Sequence, residues 1–254
     1  MAEPQTIGES PTHQISELAR LMARIKQIRP NVTAGPVDNT PQPDEPGHPE
    51  YHRRQRADFA LARWTTAAPR RFRDATATDP AITTWADTVL THPDDAGTLV
   101  LRGTIGTGKT HQAYGALRRI AEAGSRHRFE MIAITAPDMY GLLRPGGSAK
   151  GMEHELRRLT RVPLLLLDDL GTEKLSEWTE EATYRLLNER YNECLPTIVT
   201  TNLPVRSPVD DEGRPAAPDL TSRLGERLAS RLAQDATVVT LTGPDRRRQP
   251  RSAA

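Results

Sequence analysis

Eight residues constrain what this chain can fold into more than any others. GTIGTGKT, at Gly103–Thr110, satisfies the pattern G-x-x-x-x-G-K-[ST] in full. It follows a short apolar run, GTLVLRG, and opens a helical pattern from Lys109 to Ala123. Glycines let successive N–H groups turn inward around an anion, and the start of a helix adds the positive end of its dipole. A loop of this kind between strand and helix is a phosphate cradle. Gly103, Thr104, Ile105, Gly106, Thr107 and Gly108 supply its backbone. Lys109 brings a mobile charge for the β- and γ-phosphates, and Thr110 a hydroxyl ligand for Mg²⁺, so the cofactors implied are ATP and Mg²⁺.

The rest of the chain alternates in the same manner. FEMIAIT reads as a strand, Ala136 to Leu143 and Met152 to Leu159 as helices, and VPLLLLD as a strand. Thr179 to Cys194 is helical, PTIVTTN a strand, Leu220 to Ala233 a helix and ATVVTLTG a last strand. Apolar runs without strict alternation are typical of parallel strands covered on both faces. Strands alternating with helices imply an α/β sandwich with right-handed crossovers.

One strand ends oddly. Leu164 to Leu167 lead directly into two carboxylates, Asp168 and Asp169. Burying an unpaired carboxylate is expensive, so a cation or a reacting group must share the space. Beside a phosphate cradle, Asp168 would hold the Mg²⁺ shell and Asp169 would orient, or take a proton from, an attacking water. Asn202, directly after another apolar run, reads either as a water-holding amide or as a turn former.

The flanks are different in kind. Residues 1–30 contain an apolar stripe, Leu18, Leu21, Met22, Ile25 and Ile28, at helical spacing. This amphipathic helix could dock a partner or pack on its own domain. Residues 31–50 are proline-rich and polar, a linker. Residues 51–78 form an arginine-rich helical connector, including Arg53, Arg54, Arg56, Arg63, Arg70 and Arg71. Those arginines, with others between Gly146 and Arg161, could line a path for single-stranded DNA or be a solvated face. Residues 79–243 carry the strand and helix pattern, and 244–254 a basic tail.

Composition adds exclusions. A net charge of +1 names no partner, and no apolar run approaches the ~20 residues of a membrane span. The N-terminus lacks the features of a secretory signal, which leads to a cytoplasmic expectation. Cys194 is the only cysteine, so an internal disulfide and a cysteine-rich zinc module are both impossible; it reads as a half-buried thiol on a helix.

LLLLDDLGTEKLSEWTEEATYRLLNERYNECLPTIVTTNL, followed by GERLASRL, resembles the AAA+ ATPases of the DnaC/DnaI helicase-loader group, with the IstB transposition ATPases as close relatives. The resemblance runs from about Arg70 to Gly243. It implies an AAA+ core with a five-stranded parallel sheet of order 5-1-4-3-2, no C-terminal lid domain and a short helical N-terminal extension. It also implies that Asn202 is the sensor asparagine, that Arg231 is an arginine finger reaching a neighbour's ATP, and that Arg227 is its companion. Glutamate is usual where Asp169 stands, although this subgroup shares the aspartate. The activity implied is slow, partner- or DNA-stimulated ATP hydrolysis in an ATP-dependent head-to-tail homo-oligomer. Its client would be a replicative helicase delivered to single-stranded DNA, or alternatively a transposase. A third possibility is an adaptor that binds ATP without hydrolysing it.

Overall fold

The computed structural model describes residues 19–21, 23, 24, 27, 40–172, 176–204, 206–209, 216–234 and 236–245. The chain divides into two units, residues 1–42 and 43–254. In the first, the described residues between 19 and 27 are helical and Leu21 is exposed. The other members of the stripe, Leu18, Met22, Ile25 and Ile28, lie outside the described residues, as do 246–254 of the tail.

The second unit contains seven α-helices among its described residues: α1 (Pro49–Ala67), α2 (Pro80–Thr91), α3 (Lys109–Ala123), α4 (Ala136–Leu143), α5 (Met152–Arg161), α6 (Glu177–Asn192) and α7 (Leu220–Gln234). Five strands, β1 (Thr98–Arg102), β2 (Met131–Thr135), β3 (Leu164–Leu170), β4 (Thr197–Thr201) and β5 (Ala236–Thr240), form one sheet in the order β2-β3-β4-β1-β5. Every pairing is parallel. Read from the other edge, this is the order 5-1-4-3-2.

The strand periodicity of two sorts the core into two layers. Leu99, Leu101, Leu164, Leu166 and Ile198 face one side and meet Trp64 of α1, Ile82 and Trp85 of α2, and Leu117 and Ile120 of α3. Val100, Leu165, Leu167 and Val199 face the other and meet residues of α4, α5, α6 and α7, such as Met139, Leu159, Leu186 and Leu228. Each large apolar side chain so buried contributes about 1.5–3 kcal/mol. Central β1, β3 and β4 are therefore buried over most of their length, whereas the edge strands are partly exposed.

Helix α1 occupies the first part of the segment expected as a helical connector. His48 caps it through Nδ1, with Pro49 in its first turn, and Ala60 and Trp64 enter the same core cluster as the sheet. The segment 51–78 thus contributes Ala60, Trp64, Ala68 and Ala75 to that cluster. Several of its arginines are also engaged. Arg53 donates to the Ala123 carbonyl, and Arg56 to the carbonyls of Gly124 and Ser125, at the C-terminal end of α3. Such cations satisfy carbonyls that the helix itself leaves unpaired. Cys194 also differs from expectation: it is exposed, just beyond α6, at φ 51°.

Arg190 of α6 is 1% exposed. Its guanidinium donates to the carbonyls of Leu159, Thr160 and Val162 at 3.1, 3.3 and 2.7 Å, to Pro196 O at 2.7 Å and to Thr197 Oγ1 at 2.8 Å. One side chain therefore ties the end of α5 to the entries of β3 and β4. Burial pushes its pKa down to about 9, which leaves it charged at neutral pH. Arg190→Met should lower Tm by about 6–12 °C, the shift that roughly 3 kcal/mol of orphaned carbonyls produces in a domain of this size. Arg190→Lys, which keeps the charge but has three donors, should fall between that variant and wild type in a thermal melt.

Candidate nucleotide-binding site

The loop between β1 and α3 takes its shape from its glycines. Gly108 sits at φ 97° and ψ 16° as the residue that starts α3, a conformation costly for any side chain. A Cβ on Gly103 would lie 2.2 Å from the Leu241 carbonyl, so only glycine lets the loop approach the exit of β5. Thr107 Oγ1 donates to Thr104 O across the turn. The N-terminus of α3 is thereby aimed at the space above the loop.

Lys109, 6% exposed, donates from Nζ to Gly103 O at 2.9 Å, Thr104 O at 3.0 Å and Asn202 Oδ1 at 2.7 Å. Asn202 directly follows β4, and β4 lies between β1 and β3. Across that intervening strand, Thr110 Oγ1 donates to Asp168, 3.0 and 3.2 Å from its two carboxylate oxygens. Asp169 is next, at φ 58°, and turns toward the same space. Lys109, Thr110, Asp168, Asp169 and Asn202 thus converge at the C-terminal edge of a parallel sheet, where α/β folds bind ligands.

A cavity of about 450 Å³ opens there. Ile105, Gly106, Gly108, Lys109, Thr110, Asp169 and Asn202 line it. It also contains Arg71, read from the sequence only as part of the basic connector, and Phe72, His111 and Thr172, which the sequence did not single out. Phe72 stacks on Tyr114 of α3 at 4.8 Å and 7° between planes. Gln112 holds the following segment through both atoms of its amide, accepting from Thr78 N and donating to Thr78 Oγ1. Arg71 therefore borders this cavity, where a nucleic-acid path had been one expectation. Arg227 is exposed on α7 beyond a break at Gly225, and it is not part of the cavity lining. The side chain of Arg231 lies outside the described residues, so its expected role as a finger has no geometry here.

The IstB-like ATP-binding protein family matches residues 52–254, about four-fifths of the chain. The chain belongs to that family. This IstB-like chain is 27% identical over 158 residues to an ATP-binding protein of an insertion sequence in Mycobacterium tuberculosis. The match takes in 62% of this chain and 59% of that relative. It is 28% identical over 105 residues to the replicative helicase loader DnaI of Bacillus subtilis, 41% of this chain and 32% of DnaI. Among solved structures, that of the DnaC helicase loader superposes with a TM-score of 0.53 at 27% identity. That likeness covers 68% of this chain and all of the DnaC chain. The sheet order and its flanking helices are those of the DnaC/DnaI AAA+ domain.

The donor set fits magnesium nucleotide. Thr110 and Asp168 offer a hydroxyl and a carboxylate, the hard oxygens that Mg²⁺ prefers, beside a glycine cradle and a lysine. Burial, reinforced by the charge of Asp169, pushes the Asp168 carboxyl above its usual range, against the pull of the Thr200 and Thr110 hydroxyls and Lys109. A carboxylate with a raised folded-state pKa costs stability at pH values above its unfolded value of about 3.9. Asp168→Asn should therefore raise the Tm of the nucleotide-free protein at pH 7, with the gain shrinking as pH falls toward 4. The same variant should lose the Mg²⁺-dependent part of ATP affinity; differential scanning fluorimetry with ATP, with and without Mg²⁺, reads both effects.

Proposed function

We propose that the chain binds and hydrolyses ATP with Mg²⁺ and couples this cycle to a client protein acting on DNA. The observation that carries the reading is the convergence of five polar side chains, from one loop and two strand ends, around one cavity. Lys109 and the loop backbone hold the phosphates. Thr110 and Asp168 hold Mg²⁺, which when bound neutralises charge on the β- and γ-phosphates. Asp169 orients a water and accepts its proton as the water oxygen bonds to the γ-phosphorus and the bridge to ADP breaks. Asn202, already within reach of Lys109, keeps that water in line.

Two clients are compatible with the relatives. The family match and the insertion-sequence relatives support a transposase. The DnaC likeness, which spans that whole chain, supports delivery of a replicative helicase to single-stranded DNA. Capture on immobilised protein with ATP, followed by identification of the retained protein as transposase or helicase, separates them.

Hydrolysis is tested with two variants. Lys109→Ala should lose nucleotide affinity, because the phosphates lose the lysine charge. Asp169→Asn should bind ATP normally but turn it over at least ~10²-fold more slowly. An Asp169 variant with the wild-type rate removes that residue from the mechanism.

Arg231 is proposed as a finger that acts in trans, a role worth ~10³–10⁵ in rate for such residues. This requires head-to-tail self-association, a ring or open spiral. Arg231→Ala and Lys109→Ala proteins should each be nearly inactive but regain turnover when mixed, through interfaces where an intact loop meets an intact finger. Absence of recovery, under conditions where wild type oligomerises, argues against a finger in trans.

A further inference from the structure

The register between β3 and β4 breaks where the carboxylates stand. Leu167 pairs with Val199 and Leu170 with Thr201, so Asp168 and Asp169 together oppose the single residue Thr200. This is a β-bulge, uncommon between parallel strands and a device that re-aims side chains. Its cost is visible at Asp169, an L-residue at φ 58°, where a side chain crowds its own backbone. An extra residue also displaces a backbone N–H from the ladder, and a buried N–H needs another acceptor.

Thr200 supplies that acceptor. Its side-chain oxygen accepts from Asp169 N at 2.9 Å and donates to Asp168 Oδ1 at 2.5 Å. Thr200 is 0% exposed, so no water competes for either bond. One hydroxyl thus fixes both halves of the bulge: the backbone that carries Asp169 and the carboxylate of Asp168. A hydroxyl is the smallest group that can accept and donate at once. Thr201, the next residue, shows the contrast. Its hydroxyl meets backbone alone, donating to the Leu170 carbonyl at 2.8 Å and accepting from Leu203 N at 3.1 Å.

We propose that Thr200 is the positioning residue of this site: its hydroxyl holds the bulge that places Asp169 over the nucleotide and Asp168 against Thr110. It touches no reacting atom and acts through the two aspartates. The inference rests on the ATP hydrolysis proposed above for its kinetic consequence, and on the bulge alone for its structural one.

Thr200→Val removes the hydroxyl and keeps the shape, Thr200→Ser restores the hydroxyl, and Thr201→Val removes a neighbouring hydroxyl that touches no carboxylate. For Thr200→Val, kcat should fall ~10²-fold, the scale of a misplaced catalytic group. KM for ATP should stay within about twofold of wild type, because phosphate binding is untouched. The Asp169 amide should exchange with solvent about tenfold faster, as befits the loss of one hydrogen bond. Thr200→Ser should return both kcat and amide protection to within about threefold of wild type. Thr201→Val should lower Tm without lowering kcat.

A Thr200→Val protein with wild-type kcat, an unchanged Asp169 amide, or a failure of serine to rescue overturns the proposal. Should wild type itself not hydrolyse ATP, the ATPase reading fails separately. The positioning role is then decided by exchange of the Asp169 amide, which Thr200→Val should speed and Thr200→Ser restore.

Discussion

The carboxylate of Asp168 lies between two hydroxyls, Thr110 from the first turn of α3 and Thr200 from the middle of the sheet. Its burial is the constraint around which the rest of the unit is arranged. A carboxylate drawn out of water needs donors, and here they come from elements far apart in sequence. Thr110 can reach it only because the glycine loop begins α3 at the right height above β1. Thr200 can reach it only because β4 is inserted between β1 and β3. The sheet order is therefore a requirement of the site as much as of the core. Any arrangement that set β1 directly beside β3 would remove the strand that bears Thr200 and Asn202.

Strain and function coincide at the same place. Asp169 is held at positive φ, and the ladder on one side of β3 is interrupted for two residues. The apolar layers on both faces, with Leu165, Leu166 and Leu167 fully buried just before the break, supply the rigidity that keeps such a conformation in place. A less apolar strand could relax the bulge and carry the carboxylate away from the cavity.

Much of this was legible in the residues. The glycine loop, the acidic strand end and the alternation of strands and helices each follow from short-range patterns, and the elements from β1 onward lie within a few residues of those expected. Helix α1 read as a connector because its buried face is made of Ala57, Ala60 and Trp64 amid arginines, a stripe too sparse to stand out from a charged surface helix. Thr200 looked like any β-branched residue in a strand, since its part depends on a register break in the neighbouring strand. Arg71 and Phe72 border the cavity through the hold of Gln112 on Thr78, a contact between segments 34 residues apart. Pattern reading finds periodicity within a segment; it has no access to what a second segment supplies.

The Arg190 clamp gives the two kinds of charge in this protein different responses to ionic strength. Pairs such as Arg53 with Glu50 and Arg119 with Asp87 stand in solvent, where mobile ions can replace either partner. Arg190 is held mainly by carbonyl oxygens, neutral dipoles that dissolved cations cannot reach and dissolved anions cannot imitate. Concentrated salt that dissolves the surface pairs leaves the junction of α5, β3 and β4 fastened as before.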